Sequence, residues 1–426
     1  MGLGTAREQL TKGDSGKEER VRTAYMAPPA GCTMWILCGL TFLLPWVVTP
    51  GTANPFLEGK ELLLCAGSLG LLCQTVATRS GVELSRMQNP WLPWLMGYLL
   101  LCGFAHFQWL YLWRTPNQTA VIYNAYSWVQ TINVLSAFLL LYVLTAHWFR
   151  FPLTAIRVAH WSCLSATLVA LYAIGQAVHF EQWFAPAQGG AGNLWKGVYA
   201  GFVNPSYCAL YLSILSPLFL LFRQKRYLFF LGLVGVAIYV TTVRYAWLLS
   251  AIGLLSYAAS RWWRTFQPQQ QRLLLLGLCL LGLVASRFIF LWAQGDERWP
   301  LWIATVHRLQ SDPLHIRPAW TGYGLGAFAF IMKDTPYIWA HNEWLQVGFE
   351  LGLIGVGLLA LTVAWTTRLA WRRATQSQLD AGWFGVWMAF LSASFIHFPW
   401  HLAPLAFSGL CAWSVIERNG GERHNG

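Results

Sequence analysis

One segment of this chain, residues 322–355, brings together side chains whose types could do chemistry. It runs from a set of alternating glycines to His341, and from there into an apolar stretch that carries Glu350. A histidine with an ordinary pKa near ~6.5 can accept a proton at neutral pH, so His341 is the candidate general base or substrate-orienting group. Few other polar residues interrupt the apolar sequence, and the segment is therefore the candidate site.

The residue after His341 predicts where a helix begins. Asn342 can cap a helix N-terminus, and the apolar run that follows is typical of a helix. The start of a helix carries a partial positive charge and free N–H groups, which favour a nearby anion. Glu343, Gln346 and Glu350 then form one polar stripe at helical spacing, which we expect to face protein or water. An interfacial histidine beside a stripe that joins helices is the structural alternative.

Two arginines, Arg244 and Arg298, stand at the edges of apolar segments. The planar guanidinium group makes two-pronged contacts with phosphate oxygens, so such a pair suits a diphosphate. Each residue also has a structural interpretation. Arg244 can extend to lipid headgroups, and Arg298 can form a salt bridge with Glu297 or Asp296.

Four further positions support this site. Gly322, Gly324 and Gly326 either let the backbone approach a ligand closely or form a turn. They follow no predicted strand, which excludes a dinucleotide-binding unit. Asn204 precedes a proline at the end of an apolar segment and either begins a helix or lines a cavity.

Two histidines near the end of the chain have the spacing of a metal-binding pair. His397 and His401 are four residues apart, but Pro399 between them breaks helical geometry and no carboxylate accompanies them. We therefore predict no metal site.

Composition predicts the elements that must position these residues. The 426 residues are 56% hydrophobic and only 11% charged, which excludes an ordinary soluble domain. Repeated long apolar runs predict an all-α polytopic membrane protein, and the 26 tryptophans are typical of interfacial belts. We expect about twelve spans, near 32–49, 61–78, 92–112, 121–147, 155–178, 201–222, 227–243, 245–260, 272–293, 343–367, 381–398 and 402–417.

The distribution of basic residues predicts the orientation of these spans. The net charge of +12 would suit nucleic acid in a soluble protein, but here most basic residues fall in short loops on one side, so we expect no nucleic-acid partner. That side is cytoplasmic by the positive-inside rule, with both termini. We predict a disordered cytoplasmic tail over 1–28, a transmembrane domain over 29–418 and a cytoplasmic tail over 419–426. The external loop 294–342 nevertheless carries several basic residues, and phosphate binding would explain them.

Taken together, these blocks resemble the O-antigen ligase and O-antigen polymerase superfamily of bacterial membrane glycosyltransferases. The family pattern has an asparagine at a helix start, an arginine at a membrane edge, Arg-x-x-x-Trp opening a large periplasmic loop, and then Gly-x-Gly-x-Gly-x-Phe and His-Asn-x-x-Leu-Gln blocks. In this sequence the corresponding positions are Asn204, Arg244, Arg298 with Trp302, residues 322–328 and residues 341–355. The matching region covers about residues 200 to 365.

The resemblance implies a fold of the C-type glycosyltransferase kind in the bacterial inner membrane. The implied donor is a glycan on undecaprenyl diphosphate at the periplasmic face, and the implied reaction is inverting and needs neither a metal nor another cofactor. Arg244 and Arg298 would bind the diphosphate, and His341 would act near the acceptor hydroxyl. Membrane lipids surround such a protein.

Several activities fit this pattern. A ligase would move a finished glycan onto lipid A–core, and we favour this interpretation. A polymerase would join lipid-linked repeat units, and a protein-directed relative would transfer the glycan to a protein such as pilin. A transporter of lipid-linked glycans is the alternative from another class, but it predicts charged residues along a central path rather than at one face.

Overall fold

The computed structural model describes most of the chain as a set of packed helices. The described residues are 31–47, 58–77, 89–112, 152–178, 200–202, 204–271, 298–311, 318–332 and 339–418, with single positions at 137, 140, 141, 143, 144, 149, 198, 273 and 277. For 31–33, 58–59, 76–77, 103–112, 311, 318 and 329–330 only the backbone is described. The predicted tails 1–28 and 419–426 lie outside these residues, as does most of the predicted spans 121–147 and 272–293.

The prediction of an all-α protein is confirmed over the described residues, which contain no strand. In chain order the α-helices are α1 (Gly31–Leu43), α2 (Glu58–Ala77), α3 (Leu92–Leu112), α4 (Pro152–Ala177), α5 (Pro205–Leu215), α6 (Lys225–Val240), α7 (Arg244–Trp262), α8 (Arg298–Ser311), α9 (Pro318–Thr321), α10 (Ala327–Ile331), α11 (Glu343–Ala374), α12 (Gln378–Ser394) and α13 (Ala403–Glu417). Short 3₁₀ turns cover Ser216–Leu221, Trp263–Thr265 and Pro399–His401.

Two of the described helices, α4 and α11, are long and apolar enough to cross a membrane. Shorter apolar helices include Pro205–Leu221 and Ala403–Glu417. Each predicted span other than 121–147 and 272–293 corresponds to a described helix. The number of twelve spans remains a prediction. The predicted loop 294–342 is partly helical, because α8, α9 and α10 lie within it.

The centre of the bundle is formed by α12 and α13. Every residue of α13 is buried, and so are most residues of α12, including Trp383 and Trp387. A helix that is apolar on all sides lies in a protein core or in a membrane, and here other helices surround it. Small residues allow close packing here, because a Cβ added to Gly385 of α12 would lie 2.8 Å from the Gly253 carbonyl oxygen of α7.

The helix α11 is broken at Gly352, a feature that the sequence analysis did not predict. Gly352 has φ 67° and ψ −170°, which are not helical values. Backbone carbonyls before the break therefore lose their usual partners within the helix. The glycine segment and α3 replace them. The N–H of Tyr323 donates to Phe349 (2.9 Å), that of Gly324 donates to Glu350 (2.8 Å), and the Tyr98 hydroxyl donates to Leu351 (2.9 Å).

Candidate functional site

His341 lies in the short segment that leads into α11, against a cluster of aromatic rings. Its ring centroid is 4.6 Å from that of Phe398 and 5.4 Å from that of His397. Its backbone is left-handed, with φ 53°. The preceding residue is fixed from both sides, because the Ala340 N–H donates to Gln346 Oε1 (2.7 Å) and its carbonyl accepts from Trp302 Nε1 (2.8 Å). The position of the imidazole is therefore set by structure on α8 and α11.

The predicted helix start at Asn342 is confirmed. Its side-chain oxygen accepts from the Leu345 N–H (3.0 Å), as an N-cap does. Its side-chain amide donates to the Phe395 carbonyl (2.8 Å), and the Glu343 N–H donates to the His397 carbonyl (3.2 Å). These bonds join the start of α11 to the connection between α12 and α13.

Arg298 is brought to the same place from another part of the chain. It is the first residue of α8, and its Nη1 donates to the Ile396 carbonyl (3.0 Å). Its guanidinium carbon lies 5.8 Å from the ring centroid of Tyr245, in the first turn of α7. Arg244, the residue before Tyr245, begins α7 with an exposed side chain. The two predicted arginines thus lie at the same end of the bundle. Arg298 contacts the connection between α12 and α13, against which His341 packs.

Asn204 contributes by beginning a helix, which is one of the two roles that the sequence allowed. Its side-chain oxygen accepts from the Ser206 N–H (2.7 Å), and Pro205 is the first residue of α5. The first turn of α5 then places Tyr207 against His397, with ring centroids 5.3 Å apart. Asn204 therefore positions the wall of the site.

The predicted glycines all have positive φ, and Gly322 faces the protein's own backbone. Gly322, Gly324 and Gly326 have φ values of 71°, 104° and 75°. A Cβ on Gly322 would lie 2.3 Å from the Glu350 carbonyl oxygen. The close approach that glycine allows is thus to the broken part of α11, and the turn supports the site from behind.

The polar stripe on α11 is buried, as the sequence predicted. Gln346 Nε2 donates to Glu350 Oε1 (2.6 Å), and the backbone amides of Gly326 and Phe328 also bond to the Glu350 carboxylate. Glu350 thereby connects the glycine segment to α11, and its role is to support the site.

The environment makes His341 a much weaker base than the sequence suggests. Burial, followed by the positive charge of Arg298, lowers its pKa from 6.5 to about 3. The His341 imidazole is therefore neutral at pH 7.

Sequence reasoning missed His397 and His401 as parts of the site, because it considered them only as a metal pair. The structure separates them. His397 packs against His341, whereas His401 Nδ1 lies 3.2 Å from Glu343 Oε1. The signal available in the sequence was a pair of histidines in an apolar, proline-containing connection next to the end of a predicted span.

A cavity of about 220 Å³ opens beside this pair, and it is mostly apolar. Its polar lining includes Glu343, Gln346, Glu350 and His401, and its apolar walls come from α2, α3, α11 and α13. His341 and Arg298 do not line it. The site therefore has a cationic part around Arg298 and a carboxylate-lined part around Glu343.

The cationic part is well suited to an anion. The helices α5, α7, α8 and α11 all begin here, so the partial positive charges of four helix starts add to the charge of Arg298. Such an arrangement stabilises charge that develops on a phosphate leaving group, since the groups are already in place.

Comparison with models of protein families gives no match, and no curated protein is significantly similar to this chain. The family resemblance stays a prediction from the motifs described above.

Proposed function

We propose that this protein is a membrane glycosyltransferase that moves a glycan from undecaprenyl diphosphate to a sugar hydroxyl, acting as an O-antigen ligase. The observation that carries the proposal is the position of Arg298 beside His341, His397 and the starts of four helices. This combination offers a guanidinium group and the partial positive charge of the helix starts to a diphosphate, and a neutral imidazole to a sugar. It also agrees with the motif blocks at Asn204, Arg244 and residues 341–355.

A membrane location is part of the proposal. We propose a polytopic arrangement of about twelve spans in the bacterial inner membrane, with both termini cytoplasmic and the site on the periplasmic side. Large apolar side chains on the outside of the bundle support it, since Trp35 and Trp94 are each 70% exposed. An exposed apolar surface of this kind needs lipid or a partner to cover it. The two long apolar helices, α4 and α11, add to this support.

In this mechanism the diphosphate binds at Arg298, with Arg244 reaching it from the first turn of α7. As the glycosidic bond breaks, negative charge grows on the diphosphate oxygen, and the guanidinium groups and helix starts stabilise it. His341 is neutral and close to this charge, so its role is to orient the reacting sugar by hydrogen bonding. Asn342, Glu350, Asn204 and the three glycines hold these groups in place.

The experiment is the glycolipid profile of a host that lacks this gene. The strain is complemented with wild type, Arg298→Ala, His341→Ala or the control Arg308→Ala, which changes an exposed arginine on the same helix. If the protein is a ligase, the surface lipid of the uncomplemented deletion strain should lose its glycan while long polymer accumulates on undecaprenyl diphosphate. Arg298→Ala and His341→Ala should reproduce that loss, and Arg308→Ala should restore the wild-type profile.

Other outcomes reject the proposal in specific ways. Core lipid that carries a single repeat unit in the deletion strain would identify a polymerase. Lipid-linked glycan retained on the cytoplasmic side would identify a transporter. Full complementation by both Arg298→Ala and His341→Ala would exclude this site.

A further inference from the structure

His401 and Glu343 form a carboxylate–imidazole pair that the proposed mechanism does not use. Nδ1 of His401 lies 3.2 Å from Oε1 of Glu343. The same carboxylate oxygen accepts from the Trp400 N–H (2.8 Å), and Glu343 is only 4% exposed, so the acid is held firmly. An ionised carboxylate can only accept hydrogen bonds, so Nδ1 carries the proton of the bond. The lone pair of the neutral ring is then on Nε2, which can act as a base.

This pair lines the apolar cavity between α2, α3, α11 and α13. The polar residues that line the cavity are Glu61, Glu343, Gln346, Glu350 and His401. Carboxylate and amide oxygens accept hydrogen bonds from hydroxyl groups and repel a diphosphate. The rest of the lining is apolar, so the complementary ligand is an amphiphile that carries sugar hydroxyls.

The cavity lies next to the cationic part of the site. Phe398 contacts both, with its ring centroid 4.6 Å from that of His341 and 6.1 Å from that of His401. Trp339 also lies at this boundary, since it contacts both Phe398 (4.7 Å) and His401 (5.8 Å). A donor bound near His341 and an acceptor bound near His401 would thus be neighbours.

The charges around His401 favour its basicity. Burial acts against the charged ring, but the carboxylates of Glu343 and Glu350 on α11 and Glu61 on α2 outweigh it and raise the pKa of His401 above 6.5. The pKa of His341, which contacts the same Phe398 ring, is lowered instead.

We propose that the acceptor sugar hydroxyl binds in this cavity and that His401, oriented by Glu343, removes its proton. The inference rests on the proposed transferase function. The acceptor O–H gives its proton to Nε2 of His401 while the acceptor oxygen forms a bond to the anomeric carbon of the donor. The glycosidic C–O bond to the diphosphate breaks, its electron pair goes to the diphosphate oxygen, and undecaprenyl diphosphate leaves. His401 then releases the proton to solvent, and Glu343 remains ionised as a positioning residue.

The test uses the full-length protein in proteoliposomes, with a lipid-linked glycan as donor and an amphiphilic glycan as acceptor. Wild type, His401→Gln, Glu343→Gln and the control His160→Gln, which changes an exposed histidine on α4, are compared from about pH 5.5 to about pH 9. We expect His401→Gln to lower kcat by about 10²–10⁴-fold, as loss of a general base does. Binding of undecaprenyl diphosphate, measured by tryptophan fluorescence, should stay unchanged.

The pH profile separates a base from a structural residue. Activity requires neutral His401, so the wild-type rate should rise with pH through the pKa of His401. Glu343→Gln removes the charge that raises this pKa, and the acid limb should therefore move to lower pH. If His401→Gln fails to fold, the direction in which the acid limb moves in Glu343→Gln still shows whether His401 acts as a base.

Two negative results have different meanings. If wild type transfers glycan but His401→Gln stays within about threefold of its rate, or if the acid limb of Glu343→Gln does not move, the role of His401 is overturned and the proposed function stands. If wild type neither transfers glycan nor binds undecaprenyl diphosphate, the proposed function is overturned and this inference with it.

Discussion

Gly322 and Gly352 meet backbone to backbone at the point where α11 is broken. A Cβ on Gly352 would lie 2.5 Å from the Gly322 nitrogen and 2.3 Å from the Trp320 carbonyl oxygen. Both residues also have φ near 70°. The contact brings the glycine segment close enough to bond to the carbonyls that the break releases. The candidate site therefore depends on two glycines that touch no ligand.

Gly352→Ala should destabilise the protein strongly. An L-residue at this φ costs about 1–3 kcal/mol before the clash with residues 320–322 is counted. We expect a clearly lower melting temperature in detergent and reduced transfer activity. Gly357→Ala is the matched control, because a Cβ there meets nothing within 4 Å and alanine favours a helix interior. Equal melting temperatures for the two variants would refute the role of the break.

Changes at Glu350 should distinguish an acceptor of hydrogen bonds from a charge. Glu350→Ala leaves the amides of Gly326 and Phe328 without this partner, and a lost partner for buried polar groups costs about 1–3 kcal/mol. Glu350→Gln keeps one oxygen acceptor and should retain more stability. Thermal unfolding of both variants measures the difference. A glutamine variant as unstable as the alanine variant would show that the charge is needed.

Stability should fall in acid partly because of His341. Its pKa is about 3 in the folded protein and near 6.5 in the unfolded chain, so below pH 6.5 the unfolded state binds the proton first. The contribution of the neutral His341 ring to the free energy of unfolding is constant above the pKa of the unfolded chain, and it is lost as the pH falls towards 3. One such group adds a slope of at most about 1.4 kcal/mol per pH unit. His341→Gln should flatten the fall in melting temperature between pH 6.5 and about pH 4. An unchanged slope would contradict the lowered pKa.

Arg298 should contribute more to catalysis than an exposed arginine on the same helix. Arg298→Ala is expected to lower kcat by about 10²–10³-fold, as removal of one group that stabilises developing charge does. Arg298→Lys keeps the charge but loses the two-pronged contact, so an intermediate rate is expected. Kinetics in proteoliposomes, with Arg308→Ala as control, measure this effect. Unchanged binding of undecaprenyl diphosphate by Arg298→Ala would exclude a diphosphate site at this residue.

The proposed orientation can be tested by cysteine labelling of intact spheroplasts. On a background without the native cysteines, Arg308→Cys should react with a membrane-impermeant maleimide, because α8 lies at the end of the bundle that carries the site. Arg264→Cys, beyond the opposite end of α7, should react only after permeabilisation. The reverse pattern would place the site on the cytoplasmic side.

Local patterns predicted the all-α class of the described residues and two of the helix starts correctly. The starts of α5 and α11 at Asn204 and Asn342 follow from a side chain that caps the next few residues, and the buried stripe on α11 follows from helical spacing. Such features depend on neighbours within a few residues, which a single sequence displays. The break in α11 was missed because its replacement hydrogen bonds come from a segment about 25 residues away in sequence and from α3.

Residue types and their spacing were enough to predict a helical, strongly apolar chain with a candidate site near His341. Which residues meet at that site depends on the packing of distant segments. Arg298 reaches Ile396 across 98 positions, and His401 reaches Glu343 across 58. The same packing also decided that His341 is a weak base and His401 a stronger one, because a pKa depends on burial and on charges brought from distant segments. Residue type fixes what a side chain can do, and packing fixes its neighbours and therefore its protonation.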